Sequence, residues 1–175
     1  MKSIFLAASA ALVVASPVAA REFNGPYVGA GATLDNVQGS GPAEGLGANG
    51  VGGTVFAGYD IAMGKTFAGL EANADIYSAD VDLGGATAKA DWGWGIGGRV
   101  GYKLNEGTAL YGRLGYARAR ASAGGFHEWA DGVRYGAGIE TSLSSKVSLR
   151  AELSQFNYEQ DVINNQVSLS LAYGF

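Results

Sequence analysis

Lys89-Ala90-Asp91-Trp92-Gly93-Trp94-Gly95-Ile96-Gly97-Gly98-Arg99-Val100-Gly101-Tyr102-Lys103-Leu104 divides into two faces. One face carries Ala90, Trp92, Trp94, Ile96, Gly98, Val100, Tyr102 and Leu104, without a polar group. The other carries Lys89, Asp91, Gly93, Gly95, Gly97, Arg99, Gly101 and Lys103. Successive side chains of a β-strand point to opposite sides, so this alternation predicts a long strand between two different environments.

The same division recurs along the chain. Ala68, Leu70, Ala72, Ala74 and Ile76 stand against Gly69, Glu71, Asn73 and Asp75; Val133, Tyr135, Ala137 and Ile139 stand against Arg134, Gly136, Gly138 and Glu140. No apolar stripe at helical spacing has any length. Eight strands are predicted, at 26–36, 51–62, 66–77, 89–104, 108–120, 132–143, 147–158 and 165–175. No Pro follows Pro42, which suits a closed sheet whose backbone N–H groups all need partners. Long connections (37–50, 78–88, 121–131 and 159–164) alternate with the tight ones Met63-Gly64-Lys65, Asn105-Glu106-Gly107 and Ser144-Ser145-Lys146. Long loops at one end and short turns at the other are the pattern of a transmembrane β-barrel.

Composition agrees. Of 175 residues, 47% are apolar, 16% are charged and 29 are Gly. An ordinary soluble domain carries about 25% charge. The chain is too apolar to be disordered. The absence of Cys excludes disulfides, thiolate metal sites and a cysteine nucleophile. With Lys+Arg 12 against Asp+Glu 16, a nucleic-acid groove is not expected. Residues 1–20 form a different kind of segment. Met1-Lys2-Ser3 is a basic start, Ile4 to Val14 is uncharged, Ser16-Pro17 breaks the run, and Val18-Ala19-Ala20 fits a cleavage site. This is the pattern of a secretory signal peptide, too short for an anchor of about 20 apolar residues. Residues 21–175 are then one barrel domain.

Alternation alone does not say whether the apolar face is core or exterior. Two features place it outside. With both termini at the periplasmic end, Trp92, Trp94, Tyr116 and Tyr135 collect near one rim, and Tyr59, Tyr102, Tyr173 and Phe175 near the other. The ten residues from Trp92 to Tyr102 span about 33 Å of strand. At a tilt of about 40° this projects to about 25 Å, the height of the lipid-facing band between aromatic girdles. The opposite face, where glycines alternate with long charged side chains, makes a poor soluble surface and a workable lumen. The expected fold is all-β, a transmembrane eight-stranded antiparallel up-and-down barrel in the bacterial outer membrane.

The segment Val167-Ser168-Leu169-Ser170-Leu171-Ala172-Tyr173-Gly174-Phe175 resembles the C-terminal signature of bacterial outer-membrane barrels, alternate hydrophobics ending in Phe. By that resemblance Val167, Leu169, Leu171, Tyr173 and Phe175 are what the barrel-assembly machinery reads, with periplasmic chaperones as partners in transit. Pro26-Tyr27-Val28-Gly29-Ala30-Gly31 and Ala109-Leu110-Tyr111-Gly112-Arg113-Leu114-Gly115-Tyr116-Ala117 resemble strands one and five of the small eight-stranded porin-like family. That family holds the opacity-protein type and the OmpA transmembrane domain. The resemblance implies an integral barrel in contact with outer-membrane lipid and lipopolysaccharide, usually a monomer. The chain stops at Phe175, so the peptidoglycan-binding domain of full-length OmpA is not expected.

Strand parity turns Glu71, Arg99, Arg113, Arg134, Glu140, Arg150 and Glu152 into the lumen. An eight-stranded barrel is just wide enough to be filled by its own side chains, and buried arginines need partners. One reading is therefore a salt-bridge plug, with Glu71 next to Arg99. The other is a narrow pore for small solutes or ions, because Gly29, Gly31, Gly58, Gly93, Gly95, Gly97, Gly115, Gly136 and Gly138 leave room for water. A third role, adhesion through the outer loops, stays open beside these two. Catalysis is not expected. Outer-membrane lipid A deacylases pair a His with a nearby Ser, whereas the single His127 is followed by Glu128 and Trp129. Asp80 and Asp82 read as a solvated face, so no metal and no cofactor are expected. Arg118 and Arg120 continue the outward face above Tyr116, where they either pair with acids or meet lipopolysaccharide phosphates.

Overall fold

The computed structural model describes residues 22–39, 47–77, 80–82, 87–123, 126–159 and 162–175. The expected leader, residues 1–20, lies outside the described residues. The strands are β1 (Gly25–Gly39), β2 (Gly47–Met63), β3 (Thr66–Ile76), β4 (Asp80–Asp82), β5 (Thr87–Lys103), β6 (Thr108–Ala123), β7 (Phe126–Ser142), β8 (Val147–Tyr158) and β9 (Val162–Gly174). Every neighbour is antiparallel. β1 pairs with β9, and β3 pairs with β5, so eight long strands close into a barrel without a free edge. β4 is a three-residue strand on β5 beyond the end of β3.

Four boundaries differ from expectation at the loop end, one of them the expected loop 159–164, whose residues Val162, Ile163 and Asn164 belong to β9. Of the expected loop 121–131, residues 121–123 and 126–131 belong to β6 and β7, whose pairing runs to Ala123↔Phe126. β1 and β2 pair as far as Gln38↔Gly47, and β4 occupies part of the expected loop 78–88. A hairpin that projects beyond the lipid meets water on both faces, so its ladder continues without the period-2 signature. The alternation read through Ala90 is also interrupted. A register shift between Ala90 and Trp92 makes Asp91 the extra residue of a bulge. At the other end the turns are tight; Gly64, at φ 66, takes the left-handed conformation that the β2–β3 turn requires.

The wall is inside-out relative to a soluble protein. Leu70 is 66% exposed and Val100 65%, whereas Glu140 is fully buried and Arg150 is 2% exposed. An apolar exterior around a charged interior is stable only where the solvent outside is hydrocarbon.

Candidate functional site

The interior is ordered by what each long side chain has beside it. Glu71 lies between Gly58 and Gly97 in the ladders, Glu152 between Gly138 and Ser168, and Arg150 between Glu140 and Ser170. Large next to small lets eight strands' worth of side chains share a narrow tube. The glycines expected to leave room for water are instead occupied by neighbours. A Cβ on Gly29 would strike the Phe56 ring, one on Gly58 the Tyr27 ring, and one on Gly138 the Tyr111 ring. Ser170 covers Gly31, Ser154 covers Gly136, Asn73 lies at Gly95 and Tyr77 at Gly93; Gly97 and Gly115 face one another at close range.

In the space between, eight charges of alternating sign form one continuous chain. Asp60 bonds Arg99, whose Nη1 lies 2.9 Å from Glu140 Oε2. Glu140 Oε2 is 3.0 Å from Arg150 Nη2, and Arg150 Nη1 is 2.6 Å from Glu71 Oε2. Glu71 Oε1 is 2.8 Å from Arg113 Nη1, which stands 3.4 Å from Glu152 Oε1. Glu152 Oε1 in turn accepts from Arg134 Nη2 at 2.9 Å. Neutral donors add further bonds to the same carboxylates. The Tyr27 hydroxyl donates to Glu71 at 2.8 Å, the Tyr111 hydroxyl to Glu152 at 2.5 Å, and Ser148 and Ser154 donate to Glu140 and Glu152 at 2.6 Å. The guanidiniums also stack on rings. Arg99 lies 4.6 Å from the Tyr27 centroid, Arg150 4.4 Å from Phe56 and Arg134 4.6 Å from Phe156. Below this chain Phe23 is fully buried and stacked on Phe67 at 5.2 Å, beside Ala109 and Tyr111.

The expected Glu71–Arg99 pair is not made. Arg99 is opposite Gly69, and Glu71 is opposite Gly97. Because Gly69 has no side chain, Arg99 reaches across it to Asp60 on β2. Glu71 takes Arg113 and Arg150 instead.

A family model described as the outer membrane protein beta-barrel domain matches residues 5–175, nearly the whole chain. The chain belongs to the outer membrane β-barrel family. It is 31% identical over 114 residues to a 22 kDa outer membrane protein of Rhizobium leguminosarum bv. viciae. That match takes in 63% of this chain and 54% of the relative, so the chain spans about half of that protein's length. Among solved structures, the attachment invasion locus protein Ail of Yersinia pestis superposes with TM-score 0.59 at 17% identity, covering 86% of this chain and 98% of Ail. Neisserial surface protein A superposes with TM-score 0.63 at 16% identity, covering 86% of this chain and 97% of that one. At these identities the likeness is one of fold. The barrel is an outer-membrane protein.

On the outer wall of this outer-membrane barrel, Tyr59, Tyr102, Tyr173 and Phe175 are exposed toward the turn end, and Trp92, Trp94, Tyr116 and Tyr135 toward the loop end. Trp129 joins the second group, edge to face with Trp92 at 5.3 Å; its segment was read as loop. Arg118 Nε lies 3.0 Å from Asp131 Oδ1, an ion contact without hydrogen-bond alignment, and its guanidinium lies over Trp129 at 5.1 Å. The Tyr116 hydroxyl donates to the same Asp131 oxygen at 2.5 Å. Arg120 stands between Trp92 and Trp129 in the ladders, and its Nε finds no hydrogen-bond partner among the described residues. Val167, Leu169 and Leu171 are exposed on β9, and Tyr173 and Phe175 are edge to face at 5.4 Å. Sequence reading missed Asp60, Tyr27 and Tyr111 inside. Asp60 sits on an inward position of β2, which parity alone could have found.

Proposed function

We propose that this protein is a non-enzymatic structural barrel of the outer membrane whose lumen is plugged and does not conduct. The alternating chain from Asp60 to Arg134 is the observation that carries this reading. Each of its guanidiniums touches a carboxylate within 3.4 Å, and three stack on aromatic rings, leaving the charges committed to one another rather than to passing ions. Buried charges of this kind persist only when paired and hydrogen-bonded. Phe23 on Phe67 supports closure at the turn end. The turn end with both termini faces the periplasm, and the loops face outward. At the outer rim Arg120 and Arg118 contact lipopolysaccharide phosphates, supported by the unpartnered Arg120 Nε between two tryptophans.

The test is planar-bilayer conductance of the refolded protein. A plugged barrel gives a flat baseline under applied voltage. Discrete, reproducible steps that scale with protein added would overturn the plug in favour of a pore.

A further inference from the structure

On the outer wall one row of residues, each directly opposite the next, can be followed once around the barrel. It leaves Tyr59 near the turn end of β2 and reaches Tyr135 on β7. It then passes Gln155, Asn165 and Asn36 and returns to β2 at Asn49, ten residues nearer the loop end. With strands about 4.8 Å apart and tilted by about 40°, each step along the row climbs about 3 Å. Gln155 and Asn165 therefore stand about 3 and 6 Å above Tyr135, at the height of the loop-end aromatic girdle, and Asn36 and Asn49 follow just above it.

The rim at this height thus has two sectors. On β5, β6 and β7 it carries tryptophan, tyrosine, Arg118 and Arg120. On β8, β9, β1 and β2 it carries uncharged amides, and within the described residues of these strands no aromatic or charged side chain points outward there. The amides bond partly to one another. Asn36 Nδ2 donates to Asn49 Oδ1 at 2.7 Å, Gln38 donates to Asn36, and Gln155 Nε2 donates to Asn157 Oδ1 at 2.9 Å. Each amide has two N–H donors and an oxygen with two lone pairs, so spare groups of both kinds remain. The exposed Asn165 side chain has no hydrogen-bond partner among the described residues.

These spare groups face the layer between hydrocarbon and water. A phosphate in that layer favours the guanidiniums on β6. The amide sector offers it no cation, and the residue after β8 is the exposed acid Glu159. A second barrel is not matched either, because four of eight strands wrap half the circumference and two convex walls touch along much less. Small partners packed side by side, each with groups that both donate and accept, fit the whole row.

We propose that the amide row binds the sugar headgroups of outer-leaflet glycolipid through their hydroxyl and amide groups, while the phosphates go to the β6 sector. This rests on the outward-facing loop end and the arginine–phosphate contact proposed for the plugged barrel.

The probe is lipid A with its phosphates removed, an acylated amino-sugar disaccharide, used beside the intact phosphorylated form. The whole barrel is refolded in an uncharged detergent with either lipid and passed over a sizing column, and the glycolipid retained per barrel is counted by mass spectrometry. Wild type should retain both. The combined variant Gln155→Leu, Asn165→Leu, Asn36→Leu should lose the dephosphorylated probe severalfold. Arg118→Gln with Arg120→Gln should keep that probe and lose only the phosphorylated form. Leu suits a lipid-facing wall, so the triple variant should fold. Should it not, Asn165→Leu alone, which breaks no bond within the described wall, should still lower retention. If wild type retains no dephosphorylated probe, or the folded Leu variants retain it like wild type, the row binds no sugar. A wild-type dimer that the Leu variant converts to monomer would assign the row to a second barrel and overturn the proposal. Unchanged retention of the phosphorylated form by the arginine variant would refute the phosphate contact alone, because the dephosphorylated probe reads the amide row separately.

Discussion

Arg99 and Arg113 stand directly opposite one another in the β5–β6 ladder, yet their guanidiniums serve different acids. Like charges facing each other across a ladder repel. Here each leans away from its neighbour, Arg99 over Gly69 to Asp60 and on to Glu140, Arg113 to Glu71 and Glu152. The separation depends on a missing side chain at Gly69.

Gly69→Ala should therefore be destabilising. Its Cβ would run into Asp60 Oδ1 and come within 2.6 Å of the Tyr59 carbonyl oxygen. Overpacking of this kind costs about 1–3 kcal/mol. Gly112→Ala is the matched control, because the nearest atom to its Cβ is 3.8 Å away. Urea unfolding in lipid vesicles should separate the two; equal effects would mean that Gly69 is not a spacer.

Phe23→Ala should loosen the turn end. Phe23 precedes β1, is fully buried, and when truncated loses its stack on Phe67 and its place in the cluster with Ala109 and Tyr111. A large-to-small change at a filled site costs about 3–5 kcal/mol. The same unfolding assay reads it, and a loss below about 1 kcal/mol would show that the N-terminal segment does not close the barrel.

Deleting Phe175 should separate recognition from stability. Phe175 is the most exposed large apolar residue of the described wall, held by an edge contact to Tyr173 and a bond from its N–H to the Pro26 carbonyl at 3.2 Å. Little packing is lost with it, so refolding in detergent should survive. Insertion in cells should fail after normal export. A truncated protein that reaches the outer membrane at wild-type levels would remove the assembly role of the C-terminal segment.

Arg120→Gln combined with Arg118→Gln should reduce lipopolysaccharide retained by the purified barrel. The Arg118–Asp131 contact is half-exposed and, like other surface pairs, contributes about 0–1 kcal/mol. Stability should hardly move while bound lipopolysaccharide falls severalfold. Unchanged retention would leave both arginines as plain rim charges.

Which side each strand residue faces was legible in the sequence because a lipid exterior forces one face to be apolar. Parity separates Leu70 from Glu71, and the two aromatic belts together with the glycine-and-charge face decide that Leu70 points out. Partner choice was not legible. A long inward side chain next to glycine reaches past its ladder neighbour, so Arg99 meets Asp60 two strands away and not Glu71 one strand away. The hairpin end was illegible for a different reason: around Phe126 and Trp129 both faces leave the apolar slab, and the alternation that marks a strand has no cause to continue. The role of glycine was misread on the same ground. Gly58 and Gly138 look like space in a sequence, but the rings of Tyr27 and Tyr111 come from other strands to fill it.

The dry, ion-paired lumen is tested most directly by a double-mutant cycle on Glu140 and Arg150, which face each other across β7–β8 with two contacts at 3.0 and 3.2 Å. Glu140→Ala and Arg150→Ala should each cost about 3–5 kcal/mol in urea unfolding, because each breaks the alternating chain and leaves its buried neighbours short of a counter-charge. The double mutant should cost less than their sum, with a coupling of about 2 kcal/mol or more. A parallel cycle on Glu71 and Arg99, which share no contact, should show a clearly smaller coupling. If the Glu140 and Arg150 effects simply add, water screens the interior and the plug is contradicted.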